Sequence, residues 1–153
     1  MRLAKIVCCG ILALVSSLYI HEFGHYSMAK LAGFDVSEFV IGKNGFEFVF
    51  AGTNFSIGLP IPTFYNPKLM GYVKIRGIRT LEDIKSMTVL RKLFFIFSAS
   101  FGFLSQLLFL LVCYYRIFSE FDGKVVGCLY IFFFCLMCSE TDFINILLVS
   151  STL

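Results

Sequence analysis

Charge is scarce in this chain: Asp, Glu, Lys and Arg make up 15% of its 153 residues, against a hydrophobic share of 58% that includes 20 phenylalanines. That balance excludes an ordinary soluble surface, for which roughly a quarter of charged residues is usual, and points to lipid as solvent. The net charge is only +3. The basic residues neither cluster on a helix nor interleave with aromatics, so no nucleic-acid partner is expected. The chain has no repeat and no low-complexity linker, and its length leaves room for one membrane-embedded domain over 1–153. A disulfide framework is not expected either. All six cysteines (Cys8, Cys9, Cys113, Cys128, Cys135, Cys138) fall inside apolar runs, where a cysteine acts as a small buried hydrophobe. Cys135 and Cys138 form a C-x-x-C, without the second pair that makes a structural zinc site convincing.

What the chain does have is three apolar runs, about residues 3–31, 93–115 and 125–149. Each can cross a hydrocarbon core of about 30 Å at a helical rise of about 1.5 Å per residue. Between the first two lie short β-favouring runs: Glu38–Ile41, Phe46–Phe50, Asn54–Ile57 and Gly71–Ile75. Turn residues punctuate this β-rich segment, about 36–75: Gly42, Asn44-Gly45, Gly52, Gly58, Pro60, Pro62 and Asn66-Pro67. Exposed to lipid, its backbone groups would be unpaired, so it should form hairpins at the interface or line a cavity. Nine of the thirteen Lys and Arg residues lie from Lys30 to Lys92, which places that segment on the cytoplasmic side and the Arg116–Lys124 turn outside. The charged stretch Arg76–Lys92 reads as a short amphipathic helix or loop. The expected fold is a mainly α membrane protein: three transmembrane helices, with a small β-hairpin layer between the first and second near the cytoplasmic face. Arg2 and Lys5 before an apolar run ending near Ser16-Ser17 also imitate a secretory signal. Cleavage there would strip the next motif of its helix, so a retained helix is the working reading.

That motif is His21-Glu22-Phe23-Gly24-His25. At about 3.6 residues per turn, His21 and His25 share one helix face and can reach one zinc ion, while Glu22 can approach its water as general base. The chemistry suggested is zinc-assisted peptide hydrolysis. A pair of polar histidines near a helix end is the plainer alternative, weakened here because the helix is otherwise apolar. The third run carries Glu140, Asp142 and Asn145, and carboxylates within an apolar helix are functional candidates. Asp142 and the histidines lie at similar depths on helices running the same way, so they can meet. In the second run, Ser98-Ala99-Ser100-Phe101-Gly102 offers small residues for close helix approach, and Gln106 is a polar residue a little over one turn on.

H-E-F-G-H on a first transmembrane helix, a β-rich segment after it and a third helix with Asn145 resemble the site-2 protease family of intramembrane zinc metalloproteases. Phe39-Val40-Ile41-Gly42 is similar to the family's F-x-I-G element. Gly71-Tyr72-Val73-Lys74 looks like its G-G-Y-V-K loop, with Met70 in place of the first glycine. Arg91–Gly102 resembles the start of the second core helix, without the usual A-G-P. The resemblance implies Zn²⁺ as cofactor, held by His21, His25 and a third carboxylate, with Glu22 as catalytic base and Asn145 positioning substrate or stabilising the oxyanion. It implies Gly71, Tyr72 and Val73 as substrate-binding residues, a membrane-spanning protein or peptide as substrate, and residence in a bacterial cytoplasmic membrane. The family's third ligand is an aspartate in N-x-x-P-x-x-x-L-D-G; in strict register from Asn145, Leu153 stands in its place and Leu148 in that of the proline. Asp142, one turn before Asn145, is the candidate substitute. The alternative is a truncated or non-catalytic relative that binds peptides without cleaving them.

Overall fold

The apolar run that carries the two histidines forms one helix, α1 (Arg2–Leu31), in a computed structural model that describes residues 2–59, 71–78, 80–117, 127, 131, 135 and 140–152. It stops where Gly33 takes a positive φ of 76°. The Phe34 amide then donates to the Ala29 carbonyl (2.9 Å) and the Gly33 amide to that of Lys30 (3.0 Å), a paired closure that satisfies the last carbonyls. Phe34 packs back on Ala29 and seals the turn.

Four strands follow: β1 (Val36–Ile41), β2 (Lys43–Phe50), β3 (Thr53–Leu59) and β4 (Gly71–Ile75). They form one sheet in the order β2-β3-β1-β4. The expected layer of hairpins is corrected here to a mixed sheet: β2 and β3 form a hairpin closed at Ala51-Gly52, but β3 folds back between β2 and β1 and lies parallel to β1, Phe39 opposite Phe55. The reason is burial. Phe39, Ile41 and Phe55 all come to the face that packs on Tyr19 and Tyr26 of α1, which the β3 insertion makes possible. On the opposite face Glu38 accepts from Lys74 Nζ (2.7 Å) and the Tyr72 hydroxyl (3.2 Å). Those bonds hold the Glu38 carboxyl below its ordinary value, Lys74 contributing most, while partial burial and the Glu38 carboxylate raise the Tyr72 hydroxyl.

The charged stretch forms a short helix, α2 (Leu81–Lys85), whose Thr80 cap and Asp83 satisfy each other's backbone amides. Next comes α3 (Val89–Ile117), of which Val89–Arg116 is long and apolar enough to cross a membrane. The last described helix is α4 (Glu140–Ser150); Gly127, Ile131 and Cys135 before it are also helical. Pro60, Pro62, Asn66-Pro67, Met70, most of the Arg116–Lys124 turn, Cys128, Cys138 and Leu153 lie outside the described residues. α1 and α3 run antiparallel: Ser98 Oγ donates to the His25 carbonyl (3.1 Å), while Ser105 Oγ, two turns on, donates back to that of Ile20 (3.2 Å). At the start of α3, buried Lys92 donates to the Thr152 carbonyl just past α4 (2.7 Å), so α4 is antiparallel to α3 and parallel to α1.

These helices bury several polar side chains and expose many large apolar ones. Buried positions on α1 and α3 include Ser17, His21, Glu22, His25, Lys92 and Gln106. Exposed ones include Leu12, Phe23, Phe97, Leu104, Leu108 and Val112.

Candidate metal centre

His21 and His25 sit one turn apart on α1 with their rings edge to face, centroids 4.7 Å apart. Because α4 runs parallel to α1, Asp142 arrives at their level. Its Oδ2 is 3.1 Å from each Nε2, and the two Nε2 atoms are 3.1 Å apart, a nearly equilateral triangle. Zinc bonds of about 2.0–2.1 Å in a tetrahedron hold ligand atoms roughly 3.3 Å apart. The triangle therefore fits such an ion with small shifts.

Ring orientation is set from behind. His25 Nδ1 faces the Ser98 backbone carbonyl at 2.7 Å; a carbonyl only accepts, so Nδ1 carries the proton and the Nε2 lone pair points into the triangle. His21 Nδ1 lies 3.0 Å from Gln106 Oε1. Three electron-rich atoms converging out of water need a cation or a proton among them. Gly102 lets α3 come this close: a Cβ there would collide with the His25 ring.

Glu22 is buried beside this group, and its carboxyl lies against the backbone of Gly71; a Cβ at Gly71 would come within 2.7 Å of Glu22 Oε1. β4 is an edge of the described sheet. The three residues expected to meet substrate therefore diverge: Gly71 adjoins Glu22, Tyr72 turns to Glu38, and Val73 packs inward on the Phe39 cluster. Asn145 is exposed one turn after Asp142 and is not part of the triangle. The carboxylate brought to the histidines precedes Asn145, whereas the family pattern in strict register looked beyond it, to Leu153. Gln106 was read only as a polar residue in an apolar run. A lone buried amide was the signal available for it; the Ser98 carbonyl had none, since every residue carries one.

Two histidines from one helix and a carboxylate from another thus bring together three atoms that could hold a metal ion, with a buried glutamate beside them. The chain belongs to peptidase family M50, the site-2 protease family, whose model matches residues 9–147. Two Helicobacter pylori proteins, from strains 26695 and J99 and each named "Putative zinc metalloprotease", are similar to it, 36% identical over 76 residues. That stretch is 48% of this chain and 20% of each relative, so the match spans a fifth of their length.

Proposed function

We propose that this protein is an intramembrane zinc metalloendopeptidase that hydrolyses peptide bonds of membrane-embedded proteins or peptides. The observation that carries the reading is the 3.1 Å triangle of His21, His25 and Asp142 beside buried Glu22, set among helices that expose many large apolar side chains. α1, α3 and the apolar run over about 125–149 are the three membrane spans of a single domain, in a bacterial cytoplasmic membrane with the sheet near the cytoplasmic face.

His21, His25 and Asp142 would hold the zinc. When bound, zinc polarises the scissile carbonyl and acidifies the attacking water. Glu22, whose environment is closed to bulk water, accepts that water's proton as its oxygen bonds to the carbonyl carbon. When the C–N bond breaks, Glu22 returns a proton to the departing nitrogen, leaving a carboxyl and an amine terminus. Asn145, on the exposed side of α4, steadies the substrate or its developing oxyanion. A helical substrate hides its peptide bonds in its own hydrogen bonds, so it must unwind before cleavage. The edge at Gly71–Val73 offers backbone partners to an extended segment, and Gly71 delivers that segment next to Glu22.

The test is zinc content and cleavage of a membrane-embedded model peptide by detergent-purified protein. Wild type should hold about one zinc. Glu22→Gln should keep it and lose about 10²–10⁴-fold in cleavage rate. Zinc bound by a wild type that cleaves no better than Glu22→Gln would instead mark a scaffold that binds peptides without cutting them.

A further inference from the structure

We propose that Gln106 is a positioning residue: with Ser17 it forms a polarised relay that keeps the His21 proton on Nδ1 and so holds Nε2 open toward the metal. The proposal rests on reading His21, His25 and Asp142 as a metal centre. His25 needs no such device, because a backbone carbonyl faces its Nδ1. His21 faces a side-chain amide, which presents a donor at one end and an acceptor at the other, so its tautomer depends on which way the amide points.

The orientation is set two bonds upstream. The Leu14 carbonyl can only accept, and Ser17 Oγ donates to it at 2.7 Å, using its one proton. The Ser17 oxygen is then an acceptor for whatever faces it. Gln106 Nε2 lies 3.3 Å away and donates. The amide oxygen is thereby turned toward His21 and accepts from Nδ1–H at 3.0 Å. With the proton there, the neutral ring carries its lone pair on Nε2, 3.1 Å from Asp142 Oδ2. A flipped amide would offer N–H to Nδ1, force the proton onto Nε2 and close the site to a cation. Ser17 and Gln106 are fully buried and His21 is 5% exposed, so water does not compete for these bonds. Ser17 and His21 are one turn apart on α1, which lets a single glutamine from α3 bridge both.

The chain has two histidines, so ¹⁵N-imidazole spectra of the full-length, metal-free Asp142→Ala protein in detergent, in which no Asp142 carboxylate competes for an Nε2 proton, at a pH where both rings are neutral, resolve each ring once compared with its His25→Ala derivative. The relay requires His21 to be the Nδ1–H tautomer there and to shift toward Nε2–H when Gln106→Leu is added. Zinc affinity, measured by chelator competition, should fall about 10–100-fold in Gln106→Leu. Gln106→Glu should restore it to within about threefold of wild type, because the carboxylate still accepts from Nδ1–H. Ser17→Ala, a smaller change that guards against misfolding of the leucine variant, should cost about 2–10-fold by releasing the amide to flip. An Nε2–H tautomer of His21 in the Asp142→Ala protein overturns the relay, as do equal losses in the leucine and glutamate variants, which would make Gln106 mere packing. Absence of zinc from wild type overturns the metal-centre reading instead, whereas the metal-free spectra judge the tautomer claim separately.

Discussion

The helices of this chain bury ionisable side chains, whereas the sheet carries Glu38 and Lys74 on its surface. In the sheet, Phe39, Ile41 and Phe55 turn inward and Glu38, Tyr72 and Lys74 pair on the outer face, while β2 exposes Phe46, Val49 and Phe50. In α1 and α3 the buried positions include Ser17, His21, Glu22, His25, Lys92 and Gln106 beside Leu18, Ala29 and Leu110, and many large apolar side chains stand outside. Burying polar groups costs free energy unless they are hydrogen-bonded, and Ser17, His21, His25, Lys92, Ser98 and Gln106 all have partners within 3.3 Å. The candidate centre lies where these buried polar groups gather and the sheet edge reaches them.

The comparison breaks most sharply at the polar interior. Asp142→Ala leaves two imidazoles without a carboxylate, and bound zinc should drop from about one per chain to near none by metal analysis of purified protein, since two ligands hold the ion poorly. Retained zinc would mean that another group completes the site.

The outward faces can be compared directly, because Leu108 on α3 and Val49 on β2 are similarly exposed, 65% and 71%. Leu108→Arg should impair membrane insertion by about 2.5–3.5 kcal/mol if that face meets lipid near a helix centre. Val49→Lys should change thermal stability by no more than about 0.5 kcal/mol if the sheet meets water. Equal effects at the two positions would remove the distinction between the two surfaces.

Glycines sharpen it further. Alanine in place of glycine inside a helix ordinarily gains about 1 kcal/mol, and at Gly10, with nothing within 4 Å of the new methyl, that gain should appear as a higher unfolding midpoint. At Gly102 the same change drives a methyl into the His25 ring. The midpoint should fall there and zinc affinity with it, measured by melting and chelator competition.

The smallest effect belongs to the sheet's outer face. The folded-state pKa of Glu38 is lowered, chiefly by Lys74, so its contribution to stability is present above the unfolded carboxylate value and is lost as pH falls through the lowered one. Unfolding midpoints of wild type and Glu38→Gln should therefore converge on acidification through that range, by a margin as small as an exposed ion pair allows.

α1, α3 to within four residues of its start, and all four strands were legible along the chain, because they follow from local physics: apolar length, β-branched and aromatic runs, and a glycine at position 33 where the backbone turns left-handed. The insertion of β3 beside β1 was not. Strand order is decided by which pairing buries Phe39, Ile41 and Phe55 together, a long-range choice with no local signal.

By itself the sequence determined that two imidazoles one turn apart share a helix face with a glutamate beside them, because helical periodicity admits no other result. Only the tertiary structure decided that Asp142 reaches both rings, that Gly71 brings the sheet edge to Glu22, and that Gln106 and the Ser98 carbonyl orient the histidines. Those contacts join residues that lie far apart in the chain. What sets them is the packing of α4 parallel to α1 and of α3 against both, closer than a side chain larger than glycine at position 102 would allow.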